Sequence, residues 1–378
     1  SVRIFTLILY LIKVTPKKNV VASEHLVRMA LCKLATVATG DAKQELMLLL
    51  GFRDDVQVIA PCIKIMMQRD LTVTNRIYVN YTLDIDPNFI KDSSEKYGVQ
   101  VEKVGFNYPK AAIAHINNVL SAMTFKRVTE ILDSSDVNKT TKMIIISGAH
   151  FKGTWEIPFD YRLTKLTKFH QIDGKISKVP MMNTMGEFGY AKSKNCEALT
   201  IKLMSFMTSI TFVVPNNAKD LGTLLETIYR EKDFVNNLVK SQEVKLIKAS
   251  IPRFKIKTFV DWTGFLEGVN IINNVIFHNH HTTPSSHKLS RASDKQNQTI
   301  SLNKVKQKVF LQIDEMGVAR KIPDPVMTEK TPQLSYYRVP VFVADRPFYF
   351  EVSWNIEGGR YAMFAGVYYG PEPDLPSF

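Results

Sequence analysis

Two stretches near the C-terminus read as strands, and the segment between them does not. Val309 to Met316 alternates, with Val309, Leu311 and Ile313 on one face and Phe310, Gln312 and Asp314 on the other, while Phe348, Phe350, Val352 and Trp354 line one side of a second strand. Between them, Ile322 to Pro340 holds four prolines, Pro323, Pro325, Pro332 and Pro340. Each proline fixes φ and removes a backbone donor, so this stretch suits neither a helix interior nor a central strand. A proline-studded connection of that length is unusual inside a compact domain and points to a functional or disordered loop. His278 to Gln298, rich in His, Ser, Asn and Thr with almost nothing apolar to bury, reads as a second exposed loop.

Upstream, Glu24 to Thr39 repeats Leu26, Val27, Ala30, Leu31, Leu34 and Ala38 at intervals of three and four, behind Ser23 at the N-cap position, which predicts a well-buried helix. Ala111 to Leu132 carries Ile113, Ile116, Leu120, Met123 and Val128 on one side and predicts another. Met143 to Ile146 has central-strand character, and Ile210 to Val214 stops at Pro215. Ile4 to Ile12 is too short to cross a bilayer and reads as a buried helix. Helices dominate the first third and strands the rest, with no βαβ rhythm and no repeat, which predicts an α+β fold built around large sheets. The 378 residues, 45% of them hydrophobic, can bury a large core, taken here as a single domain over residues 1–378.

The formal charge of +13 favours acidic surfaces, yet the cations are scattered in short groups such as Lys17-Lys18 and Lys126-Arg127, the pattern of a solvated surface. No nucleic-acid or membrane partner is expected. Cys32, Cys62 and Cys196 stand far apart, which excludes a disulfide framework or a zinc knuckle, and Cys32 on its apolar helical face reads as a buried thiol. The chain opens on Ser1, so a leader is expected to be missing, and compartment is read instead from three Asn-x-Thr sequons at Asn80, Asn138 and Asn297. They predict a secreted, extracellular glycoprotein. No GxSxG, HExxH, Walker or GxGxxG pattern occurs, so the chain is not expected to be an enzyme, and no cofactor is expected. The histidines His278, His280, His281 and His287 invite a metal, but in a polar loop they read as adventitious, and no metal site is predicted.

Taken in order, several motifs over nearly the whole chain resemble the serpin family. Asn19 to Ser23 with Gly40 to Leu46, Asn75 to Tyr78, and Ile116-Asn117 with Thr124 are similar to its early helices and strand. Phe151 to Trp155 with Phe159-Asp160, Met181-Met182 and Ile251 to Ile256 are more specific. Gln307 to Gly317 resembles the strand feeding the family's reactive loop, and Asp345 to Phe350 with Phe364 to Pro371 its closing hairpin. The resemblance implies a serpin fold of about nine helices around three β-sheets, with an exposed reactive centre loop at about residues 318–340. It implies stored strain, released when a protease cuts the loop and the loop inserts as an extra strand in the main sheet. On this mapping Glu315 and Arg253 form a charged pair at the top of the sheet, with Trp155 where insertion begins, and Glu315, Gly317, Val318 and Ala319 make up the hinge.

The chain departs from the family pattern at the hinge. Val318 and Ala319 suit insertion, but Arg320 or Lys321 would have to face the covered side of the sheet, at about several kcal/mol if unpaired. Pro323 and Pro325 each delete a ladder donor. Gln307 and Ser147 stand where the family has His and Asn, and Lys126 where it has Gly. The stretch from Phe52 to Asn75 is short for a heparin-binding helix, so glycosaminoglycan binding, although the charge permits it, is not predicted. Counting forward from Gly317 puts the scissile position near Thr331; counting back from Pro347 puts it nearer Tyr336. Pro332 disfavours cleavage after Thr331, which leaves Met327-Thr328 and Ser335-Tyr336. Val326 and Leu334 precede these bonds and suit papain-like cysteine proteases, whereas a trypsin-like enzyme would choose Lys330 or Arg338. The partner expected is a target protease of the cysteine or serine class, met by a monomer. The alternative is a non-inhibitory carrier, storage protein or chaperone.

Overall fold

A computed structural model describes residues 17–38, 40–50, 71–151, 153–204, 207–231, 233–268, 276–277, 298–299, 301–316, 339–356 and 359–372. They form two compact units, one drawn from the described residues within 24–149 and 259–308, the other from those within 17–23, 150–258 and 309–372.

In the first unit, α1 (Glu24–Ala35) buries Leu26, Val27, Ala30, Leu31 and Leu34 as its spacing predicts, and Cys32 is a buried free thiol. Strand β1 (Val20–Ala22) of the second unit precedes it in the chain. There follow α2 (Gly40–Leu50), β2 (Leu71–Asn80), α3 (Pro87–Tyr97), β3 (Gln100–Val104) and α4 (Pro109–Met123). Helix α3 starts where Asp86 accepts the Asn88 N–H at 2.8 Å ahead of Pro87, and it ends at Gly98, whose φ of 62° suits glycine. Helix α4 stops nine residues before the predicted Leu132. The hydroxyl of Thr124 bonds the Leu120 carbonyl and accepts the Val128 N–H, and Phe125 and Lys126 adopt left-handed φ of 51° and 60°. Asn117 then takes up the N–H groups of Ile131 and Leu132, so Val128 reaches the core from a turn, not from the helix face the periodicity suggested.

Strand β4 (Met143–Phe151) is buried along its whole length. In the second unit lie β5 (Lys165–His170), β6 (Ile176–Lys192), β7 (Cys196–Lys202), β8 (Thr208–Pro215), α5 (Leu221–Arg230), α6 (Phe234–Lys240) and β9 (Glu243–Pro252). Cys196 is a second buried free thiol, while Cys62 lies outside the described residues, as do Ile4 to Ile12 and the histidines from His278 to His287. Strands β4, β10 (Phe254–Asp261) and β13 (Leu302–Ile313) each run on from one unit into the other. Between β10 and β13 come α7 (Thr263–Gly268) and the short ladder of β11 (Ile276–Phe277) with β12 (Gln298–Thr299).

The five-stranded sheet has the order β10-β13-β4-β2-β3. At one end of the central pair Asn303 Oδ1 accepts the Lys142 and Met143 N–H groups, and at the other His150 meets the Phe310 ring edge-on at 5.4 Å. β13 and β4 therefore run in the same direction as direct neighbours. Helix α4 rests on β4: a Cβ at Gly148 would collide with Leu120. The connection from α4 to β4 is fastened to β13, where Lys306 pairs with the buried Asp136 and Lys308 donates to the Glu130 carbonyl. Lys304 stands 3.9 Å from the same aspartate.

The nine-stranded sheet is closed by β14 (Val341–Val343), β15 (Phe348–Ile356) and β16 (Gly359–Tyr368), in the order β1-β16-β15-β8-β7-β6-β9-β14 with β5 also on β6. Phe348, Phe350 and Val352 are fully buried, and the two phenylalanines join a cluster of edge-on, tilted and stacked rings that takes in Phe212, Phe254 and Tyr368. Against the expected nine helices around three sheets, the described residues give seven α-helices, with strands in sheets of nine, five and two.

Candidate functional site

The chain leaves the five-stranded sheet at the end of β13. Alternation along that strand places Ile313 and Glu315 inward, with Asp314 and Met316 half-buried. The segment after β4 closes over this exit. Trp155, fully buried, donates its backbone N–H to the Met316 carbonyl at 3.0 Å and its indole N–H to the Asp314 carbonyl at 2.7 Å. Phe159 donates its N–H to the Glu315 carbonyl at 2.8 Å and meets the Trp155 indole edge-on at 5.7 Å. The same segment is tied to β7, because Glu156 donates to the Lys202 carbonyl and Met204 to the Thr154 carbonyl. Three consecutive residues of the exit thus hand their carbonyls to two aromatic residues, and no water is needed to satisfy them.

The side chain of Glu315 is 10% exposed and pairs with Arg253. Arg253 occupies the one-residue corner between Pro252, the last residue of β9, and Phe254, the first of β10, with its N–H on the Pro180 carbonyl at 2.8 Å. The Thr164 hydroxyl supplies Glu315 with a further donor at 2.6 Å. Burial alone would raise the Glu315 carboxyl, but the bonds from Arg253 and Thr164 outweigh it and hold the group below the ordinary glutamate range. Glu315 is therefore a carboxylate at neutral pH, and its charge anchors the exit.

The chain re-enters the structure at β14, an edge strand three residues long. It pairs parallel to β9, Val341 with Lys248, Phe342 with Ala249 and Val343 with Ser250. Flanking bonds run from Lys248 N–H to the Pro340 carbonyl at 3.0 Å and from Ala344 N–H to the Ser250 carbonyl at 2.9 Å. Phe342 and Ala344 are fully buried, whereas Val341 is 52% exposed. Beyond it, the Arg346 guanidinium reaches the Pro215 carbonyl and the Asp345 carbonyl takes the His170 N–H.

The structure brings Trp155, Arg253 and Glu315 together at one end of β13. Gly317, Val318 and Ala319 lie outside the described residues, as do Met327, Thr328, Lys330, Thr331, Leu334, Ser335 and Tyr336. Gln307 and Ser147 are buried, and the Ser147 hydroxyl donates to Asn75 Oδ1 at 2.9 Å. Sequence reasoning missed Thr164 and Phe342. An isolated threonine carries no pattern, but Phe342 sits in the apolar run Val339 to Ala344 and could have been read as a short buried strand. Of the expected glycosylation sites, Asn80 has a buried side chain whose amide nitrogen donates to the Thr141 carbonyl, Asn138 is exposed, and Asn297 lies outside the described residues. Among the described residues no group of three His, Cys, Asp or Glu could hold a metal ion, and no helix is long and apolar enough to cross a membrane.

Known proteins place this architecture. A family model described as "Serpin (serine protease inhibitor)" matches residues 4–370. The chain is similar to antitrypsin of Bombyx mori, 26% identical over 377 residues that cover 97% of this chain and 91% of the relative. Alaserpin of Manduca sexta is also 26% identical, covering 90% and 86%. Among solved structures, Serpin48 of the insect Tenebrio molitor superposes with a TM-score of 0.78 at 22% identity, covering 98% of this chain and 96% of that one. Native protease nexin-1 with heparin gives 0.79 at 20% identity and 97% coverage of each; at such identities the likeness is one of fold.

Proposed function

The chain belongs to the serpin family, and on that premise we propose that it is a protease inhibitor offering residues 318–340 as bait. The family is generally one of inhibitors, not catalysts. The observation that carries the reading is the polar clamp of Trp155, Phe159, Arg253 and Thr164 on residues 314–316, placed where β13 lies directly beside β4. A protease that seizes the bait pulls against this clamp on one side and against β14 on the other. Cutting frees the upstream half, still joined to β13, to pair with β13 if β4 gives way.

Chemistry of the bait restricts that step. Val318 and Ala319 enter a sheet at little cost, but Arg320 and Lys321 cannot both avoid the covered face, and Pro323 and Pro325 have no N–H to offer a ladder. Insertion is accordingly shallow, and inhibition depends on tight binding of the bait by a papain-like cysteine protease at Met327-Thr328 or Ser335-Tyr336. The protein acts outside the cell as a monomer.

Incubation with papain-like and trypsin-like proteases tests this. Loss of hydrolysis with one class, with the cut bond located by mass spectrometry, is the expected result; plain cleavage by every enzyme tried removes the reading. The same hinge residues favour a second reading, a non-inhibitory serpin acting as carrier, storage protein or chaperone. Loss of hydrolysis separates the two, and melting before and after cleavage adds a check on insertion: a large rise in melting temperature requires an added strand, which counts against the second reading and against shallow insertion in the first.

A further inference from the structure

Two of the three sequon asparagines, Asn80 and Asn138, lie among the described residues, and they make the same local turn. In each, the asparagine Oδ1 accepts from the backbone N–H and the hydroxyl of the threonine two residues on. For Asn80 these bonds, to Thr82, are 3.1 and 3.0 Å; for Asn138, to Thr140, they are 2.8 and 2.6 Å. Such a turn orients the amide and leaves Nδ2, the atom a glycan would join, facing away from it. What that nitrogen then meets differs between the two sites.

Asn80 is 1% exposed, and its Nδ2 donates to the Thr141 carbonyl at 3.2 Å. Asn138, Lys139 and Thr140 are exposed, yet they are not loose. Val137 and Thr141 on either side are buried, the Asn138 N–H bonds the Thr141 hydroxyl at 3.0 Å, and the Thr141 N–H bonds the Asn138 carbonyl at 3.1 Å. Among the described residues the Nδ2 of Asn138 makes no hydrogen bond. The fold therefore presents one sequon and consumes the other, although their local geometry is the same.

We infer that Asn138 is an N-glycosylation site of this protein and that Asn80 is not. The donor is a polyprenyl-pyrophosphate-linked oligosaccharide. A bond forms between Asn138 Nδ2 and C1 of the first sugar, the C1–O bond to pyrophosphate breaks, the amide proton passes to a base of the transferase, and polyprenyl pyrophosphate leaves. Transfer precedes folding, so the structure selects by tolerance: a sugar on Asn138 projects into solvent, whereas one on Asn80 would displace the Thr141 carbonyl and open the end of β2. The inference is independent of any target protease.

The test directs the full chain into a eukaryotic secretory pathway with a heterologous leader. An Asn297→Gln background removes the sequon outside the described residues. Soluble secreted protein is expected to carry a single glycan that is lost completely in Asn138→Gln and Thr140→Ala, retained in Thr140→Ser, and unaffected by Thr82→Ala. Peptide mapping after enzymatic deglycosylation should find aspartate at position 138 and asparagine at position 80. A glycan that persists in Asn138→Gln, an unmodified peptide spanning position 138, or occupied Asn80 in the soluble fraction overturns the assignment.

Discussion

Where β13 ends, the chain is held largely by side chains, with an indole, a guanidinium and a hydroxyl converging on Asp314 and Glu315; where β14 begins, it is held by three parallel pairings and one buried ring. The first anchor depends on ionisation and on specific donors. The second depends on the ladder and on apolar burial, which any β-branched or aromatic sequence of the right register supplies. The difference teaches that the two ends of residues 317–338 respond to different perturbations, so each can be loosened without the other.

The largest effect is expected at the re-entry. Phe342→Ala removes a fully buried ring and should lower unfolding stability by about 3–5 kcal/mol in chemical denaturation, with no dependence on pH between acid and neutral conditions. Arg253→Ala should remove roughly 2 kcal/mol at neutral pH by stranding the Glu315 carboxylate with a single side-chain donor. The folded pKa of Glu315 is depressed, so its contribution is present above the unfolded glutamate pKa and lost as pH falls through the folded value. The gap between wild type and Arg253→Ala should therefore close in acid while that of Phe342→Ala stays open; parallel behaviour would erase the distinction drawn between the anchors. Thr164→Val keeps shape and deletes one hydroxyl donor to Glu315, for an expected loss of about 1 kcal/mol by thermal melting. Val341→Lys, at a half-exposed edge position, should change stability by under about 0.5 kcal/mol.

The strands on either side of residues 317–338 were legible in sequence through their apolar alternation: Val309, Leu311 and Ile313 are all fully buried, as are Phe348, Phe350 and Val352, although in the second strand the intervening Tyr349, Glu351 and Ser353 are buried as well. The overlong reading of α4 has the opposite cause. Val128 lies at a helical interval from Leu120 and is buried, but it arrives through a turn made by Thr124 and by two residues with left-handed φ, and nothing in a hydrophobicity pattern distinguishes the two routes. Arg253 and Glu315 were legible only through the family resemblance, since a charge pair separated by 62 residues leaves no local trace. The partner hydroxyl of Thr164 left none either. Asn80 and Asn138 share a tripeptide pattern, and only the fold separates them.

The fastening of Asp136 to β13 has a consequence for how long the resting sheet lasts. Residues 128–142 are gripped by Lys306 and Lys308 at β13 and continue without a break into β4, so wedging those strands apart pulls on this stretch as on a hasp across a double door. Asp136 has to part from Lys306 before the door opens, and parting a buried pair leaves an uncompensated charge. If residues 318–340 insert as proposed, this ion pair is a catch on that step, and Asp136→Asn should shorten the time to rearrangement at constant temperature, read as the decay of susceptibility of residues 318–340 to proteolysis.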